Sequence, residues 1–317
     1  MILYHPDLTT ELSLYGIDLP LRDDRSERVF ELLKKEFPNL KEFSLKKIPL
    51  VGREDLERVH DSSFLDRFYD DGGGFLAETL LTYDCKNLNE DKRVKPLKCL
   101  RESHLRQVSA TYAALQFSLT SKDKFCFYLG GGMHHARYSF GSGFCPLNDI
   151  VVATKKAQKE NSYKRALIID IDAHHGDGTS ELTKDDPLID TFSIHMASSW
   201  PFNTELQITP STLDIGIEKG DEKSYLERLS QGLKFFDKKE YDFVIVVAGA
   251  DPYEGDELPS TQSLNLSKHQ MLARDLIVYK WCQEKGLAQT WVMAGGYGKD
   301  SPLIYGQFIL KVLHLMG

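Results

Sequence analysis

A single-domain α/β fold, with a mostly parallel central β-sheet and helices on both faces, is what this 317-residue sequence predicts. Three observations predict it. Short apolar runs recur along the chain, segments of helical periodicity separate them after residue 120, and no Pro/Gly/Ser-rich linker interrupts the series. Alternating strands and helices close into parallel sheets, because each crossover helix must pack back onto a sheet face. The length alone would admit two domains, but α/β folds of this size are often single. The reading is therefore one domain over residues 1–317.

Taken in order, residues 1–60 hold a short first strand, a loop and a charged helix over 24–37 that Pro38-Asn39 ends. Residues 53–68 read as a helix or loop-helix, Asp71-Gly72-Gly73-Gly74 as a turn, and 82–96 as a polar loop. Leu105, Val108, Tyr112 and Leu115 give the stretch 100–116 a helical period. Strands follow near 125–129, 166–170, 189–194, 213–217, 243–248 and 289–293, with helices near 148–160, 222–237 and 267–285.

Composition is that of an ordinary globular protein, 41% hydrophobic and 27% charged. The net charge of −8 disfavours direct nucleic-acid binding and suits a cationic substrate. The five cysteines are scattered, odd in number and without a C-x-x-C pair, which points to a reducing, cytoplasmic setting. The N-terminal residues do not read as a signal peptide. No apolar run approaches the about 20 residues of a spanning helix, so no membrane role is expected.

The chemistry concentrates where strands end. Ala166-Leu167-Ile168-Ile169 runs into Asp170-Ile171-Asp172-Ala173-His174-His175-Gly176-Asp177-Gly178-Thr179. Residues two apart on a strand project the same way, so Asp172 and His174 can face one ion. Phe125–Leu129 runs into Gly130-Gly131-Gly132-Met133-His134-His135 and then Gly141-Ser142-Gly143-Phe144-Cys145. The strand after Phe243 ends at Ala248-Gly249-Ala250-Asp251, and the strand near Trp291 ends at Gly295-Gly296-Tyr297-Gly298. Each residue alone has a plainer reading: Asp251 as a helix cap, Tyr297 as a core or interface tyrosine, the histidine pair as a loop feature. Four strands that each deliver a reactive residue at one sheet edge make an enzyme the stronger expectation.

Together these segments resemble the zinc-dependent histone deacetylase family, with its arginase/deacetylase fold, most of all the class IV-like and bacterial members. The likeness runs from about Tyr4 to Tyr297 and keeps the family order. It implies Asp172, His174 and Asp251 as metal ligands, with one position left for water or substrate. It pairs His134 with Asp170 and His135 with Asp177, makes His135 the principal acid/base, and gives Tyr297 the oxyanion. Zinc is the expected ion; ferrous iron accepts the same donors.

The resemblance also implies a channel lined by Gly143, Phe144 and an aromatic beside proline, Trp200 or else Phe202. It implies a rim carboxylate at Asp84 and a structural potassium ion at Asp170, Asp172, His174, Ser193 and Ile194. A position acidic in polyamine deacetylases falls on Leu258, beside Glu257. That favours acetyl-lysine, or a longer acyl-lysine, in a peptide or protein over an acylpolyamine or other small amide. A non-catalytic acyl-lysine binding protein is the alternative from outside enzymology, although no ligand or acid/base residue is missing. The sequence does not specify oligomeric state.

Overall fold

The computed structural model describes residues 1–160 and 163–317. Seven strands form one sheet: β1 (Ile2–Leu3), β2 (Phe125–Tyr128), β3 (Ala166–Asp170), β4 (Ile189–Met196), β5 (Leu213–Ile217), β6 (Phe243–Val247) and β7 (Ala288–Val292). Their order is β1-β2-β7-β6-β3-β4-β5, and every neighbouring pair is parallel. The helices are α1 (Arg25–Glu36), α2 (Arg53–Leu56), α3 (Ser62–Tyr69), α4 (Gly74–Thr82), α5 (Leu97–Thr120), α6 (Asp149–Glu160), α7 (Asp177–Thr183), α8 (Tyr225–Phe235), α9 (Lys268–Glu284) and α10 (Ser301–Met316).

The pleat sorts the strand residues onto two cores. Cys126, Tyr128, Ile168, Ile245 and Val292 pack on one face with α5 and α6. Phe127, Leu167, Ile169, Val244, Val246 and Trp291 pack on the other with α1, α8, α9 and α10. Both faces being covered, the inner strands are continuous apolar runs rather than alternating ones.

Helix α10 has no counterpart in the sequence reading, which stopped at the last motif. Its buried positions Ile304, Tyr305, Phe308, Ile309 and Val312 follow a helical period after a Pro at the first turn. Helices α4 and α7 also went unread. The first is nearly uniform in hydropathy along GFLAETLLT, and the second is one short element inside the Asp170–Thr179 motif. The stretch 53–68 resolves into two helices, split before the Asp61 cap, whose carboxylate accepts from the Ser63 and Phe64 amides. Among the described residues no helix is long and apolar enough to cross a membrane, and all five cysteines are free thiols.

The order β2-β7-β6-β3 sets the four motif segments side by side. The chain steps outward from β3 to β4 and β5 and then returns to β6 on the other side of β3. Such a reversal opens a crevice above the carboxyl ends of the strands, where α/β proteins bind ligands.

Candidate active site

Asp170 closes β3, and the backbone beyond it folds around carboxylates. Its Oδ1 accepts the Asp172 amide at 3.1 Å, and Asp172 Oδ1 accepts the His174 amide at 3.0 Å. This local bonding turns Asp172 and His174 toward Asp251, which follows β6. All three are buried, and their donor atoms lie within 4.8 Å of one another. His174 Nδ1 stands 3.1 Å from Asp251 Oδ2 and 3.3 Å from Asp172 Oδ1. A tetrahedral ion with bonds of about 2 Å leaves ligands roughly 3.3 Å apart, so this donor set fits zinc. Gly295 closes the cradle: a Cβ there would lie 2.5 Å from Asp251 Oδ2 and 2.7 Å from Asp172 Oδ2. Burial pulls the His174 imidazole down, but Asp172 and Asp251 outweigh it and carry the ring up to about 10. A cation must displace that proton to bind.

The Gly130–Gly132 turn after β2 is held by Asp149, the first residue of α6. Its carboxylate accepts the Gly132 amide at 3.0 Å and the Met133 amide at 2.7 Å. His134 and His135 follow, rings 3.8 Å apart, each with Nδ1 2.7 Å from a carboxylate: Asp170 for His134 and Asp177 for His135. The pairing implied by the resemblance is thus the pairing in the structure. Burial lowers His134, but Asp170 and Asp172 hold it at about 9. Burial, then the charge on His134, drops His135 to about 3, with Asp177 opposing. The two rings are thus pushed in opposite directions, His134 toward its cation and His135 toward its neutral form.

The rim and channel residues named from sequence line one cavity of about 520 Å³: Asp84, Gly143, Phe144, Trp200 and Leu258, with His135, His174 and Tyr297 at its floor and sides. Trp200 packs edge-on to His135 at 4.4 Å, which decides between the two aromatics beside proline. Phe202 stacks instead on His195 at 5.2 Å, outside this cavity. Gly143 has φ +52°, and a Cβ on it would lie 2.5 Å from Trp200 Cη2 and 2.7 Å from His135 Cδ2. The Phe144 and Tyr297 rings face each other across the passage at 6.0 Å. Burial, with Asp251 and Asp172 adding, raises the Tyr297 phenol well above 10, so it stays a proton donor. Asp84 is exposed at the mouth. Asp170, Asp172 and His174 are grouped, and Ser193 is the β4 residue registered against Asp170, with Ile194 next to it.

Four residues that position the site escaped the sequence reading. Asp256 accepts the Tyr297 amide at 2.8 Å and so sets the tyrosine turn. Ser260 Oγ lies 3.1 Å from His174 Nε2. Buried Arg137 bonds Glu181 and the Gln207 carbonyl, with Nη1 3.8 Å from Asp177. Buried Arg274 bonds the Ile171 and Gly249 carbonyls at 2.8 and 2.9 Å, tying the ends of β3 and β6 together. Asp256 follows Asp251 by five residues; Arg137 and Arg274 carried no signal beyond charge.

The fold and this site define an α/β protein in which one imidazole and two carboxylates converge beside paired His–Asp dyads. The histone deacetylase domain matches residues 19–305, and the chain belongs to the histone deacetylase family. It is 29% identical over 271 residues to the acetoin utilization protein AcuC of Bacillus subtilis, covering 79% of this chain and 65% of that one. It is 28% identical to histone deacetylase 2 of Arabidopsis thaliana, covering 64% and 52%. An uncharacterized protein of Picosynechococcus is 36% identical over 183 residues, 57% of this chain and 59% of that one. The chain thus spans between about half and two thirds of the length of these relatives. The crystal structure of the HDA15 HD domain matches 99% of this chain and 90% of its own, with a TM-score of 0.74 at 21% identity, which shows the arginase/deacetylase fold.

Proposed function

We propose that this protein is a zinc-dependent amidohydrolase that removes acetyl or longer acyl groups from lysine side chains. The observation that carries the reading is the Asp172–His174–Asp251 cradle, whose His174 lines the same cavity as His135 and Tyr297. When bound, zinc would supply a Lewis acid for the amide carbonyl and lower the pKa of water. Potassium at Asp170, Asp172, His174, Ser193 and Ile194 would be structural.

Neutral His135 is the group able to take a proton from the attacking water, and Asp177 at its Nδ1 fixes the tautomer that leaves Nε2 free. Protonated His134, paired with Asp170, adds positive charge where the tetrahedral oxyanion develops. The Tyr297 hydroxyl donates to that oxygen from the opposite wall. His135 then returns its proton to the leaving amine. The four-carbon lysine stem fits a passage walled by Phe144 and Trp200, while exposed Asp84 can accept amides of the substrate backbone. Leu258 puts an apolar side chain, rather than a carboxylate, at that point of the mouth, which favours acyl-lysine over acylpolyamine.

The test is turnover of acetyl-lysine peptide, long-chain acyl-lysine peptide and acetylspermidine by zinc-loaded protein and its Tyr297→Phe variant. Peptide cleavage that the variant slows about 10²–10³-fold supports the reading. Binding without turnover, or equal rates in the two proteins, overturns it; faster acetylspermidine turnover replaces the substrate class.

A further inference from the structure

A second group of metal-type donors lies outside the active site, on the other flank of the β3 loop. His175 follows the ligand His174 but sits away from the substrate cavity, fully buried. His195 comes from the end of β4 and is 3% exposed. Asp214 comes from β5, the edge strand. The donor atoms of the three lie within 4.8 Å of one another. The two imidazoles meet edge to face at 4.7 Å, and His175 Nε2 is 3.0 Å from Asp214 Oδ1. Ser211 Oγ lies 3.3 Å from the same nitrogen, and the Ser211 amide donates to Asp214 Oδ2.

His195 is held as a metal-ligating histidine is held. Its Nδ1 bonds Ser193 Oγ at 2.9 Å and Phe202 stacks on its face, so the ring is fixed from two sides. His175 Nδ1 is buried with no hydrogen-bond partner, so the ring is fixed from one side only. Asp214 is partly exposed on an edge strand, which gives an ion an entry path and gives the carboxylate room to close the remaining gap.

We infer that His175, His195 and Asp214 form a second divalent-cation site, separate from the catalytic centre and selective for an ion that takes imidazole and carboxylate, such as zinc. Its role would be structural. It would pin the loop that carries His174 to β4 and to edge strand β5, adding to the ring packing and hydrogen bonds that join them here.

The experiment is zinc content of tag-free protein after equilibrium dialysis, with melting temperature with and without zinc. Wild type should retain about two ions per chain and Asp251→Asn about one. Asp251→Asn/His195→Ala should retain none, and zinc should raise the melting temperature of Asp251→Asn but not of that double variant. Should His195→Ala fail to fold by circular dichroism, Asp214→Asn at the edge strand takes its place. Wild type with one ion and Asp251→Asn with none would overturn the second site and leave the active centre standing. An ion that survives in Asp251→Asn/Asp214→Asn would overturn the residue assignment. Equal counts in wild type and Asp251→Asn, with loss on Asp214→Asn, would support this site and count against the catalytic one.

Discussion

Replacing Gly143 with alanine tests the channel at its narrowest point. The position has φ +52°, and the added methyl would meet Trp200 Cη2 at 2.5 Å and His135 Cδ2 at 2.7 Å. A left-handed backbone costs an L-residue about 1–2 kcal/mol. Overpacking costs about 1–3 kcal/mol more, since both rings lie well inside contact distance of the new methyl. The sum of about 2–5 kcal/mol divides between stability and the geometry of His135. If about 2 kcal/mol falls on the transition state, kcat/KM drops roughly 30-fold.

A double-mutant cycle with Trp200→Ala separates the two sources. The backbone term does not depend on Trp200, whereas the clash disappears when the indole is removed. We expect Gly143→Ala to lower both the melting temperature and kcat/KM. Gly143→Ala/Trp200→Ala should then be less impaired than the two single losses added together. Additive losses would mean that the indole does not stand over Gly143, and wild-type rates in Gly143→Ala would refute the channel altogether.

Zinc affinity should rise with pH. His174 is lifted to about 10 and Asp251, chiefly by burial and then by Asp172, to about 7 without the ion, so binding releases protons and acid weakens it; chelator competition at pH 6, 7 and 8 checks this, and a flat affinity sinks it. Asp177→Asn should reduce kcat about 10²–10⁴-fold with little change in KM, because His135 loses the partner that fixes its tautomer; steady-state kinetics decide it, and an unchanged kcat would exclude His135 as the base. Arg274→Met should destabilise the fold by about 3–5 kcal/mol, since Asp275 and two buried carbonyls lose their partner; chemical denaturation with an unchanged midpoint would contradict it. Ser260→Ala should weaken zinc binding about 10-fold or more by freeing His174 Nε2, measured with the same chelator.

Residues that do chemistry were legible in the sequence, and residues that hold them in place were not, for a physical reason. A candidate metal ligand or general base is a His or Asp at a strand end, and that edge is where the continuous apolar runs break into polar residues and glycine. Asp172, His174 and Asp251 therefore announce themselves from local pattern, and the β2-β7-β6-β3 order then brings them together. A supporting contact needs only some donor at some distance along the chain. Arg274 reaches back 103 residues to the Ile171 carbonyl, and Arg137 reaches forward 70 to the Gln207 carbonyl. Neither spacing has a local signature, and an arginine in a polar stretch looks like any solvated cation. Helices divide the same way. Helix α1 buries one stripe, whereas α9 spreads apolar residues around its circumference, beneath two neighbouring helices. His175 and His195 lay between these cases. Each has the residue type of a ligand, but neither follows a strand at the crevice in the way His174 does, and only the fold places them beside Asp214. A cluster assembled from three successive strands of the sheet becomes visible once β3, β4 and β5 are known to be neighbours.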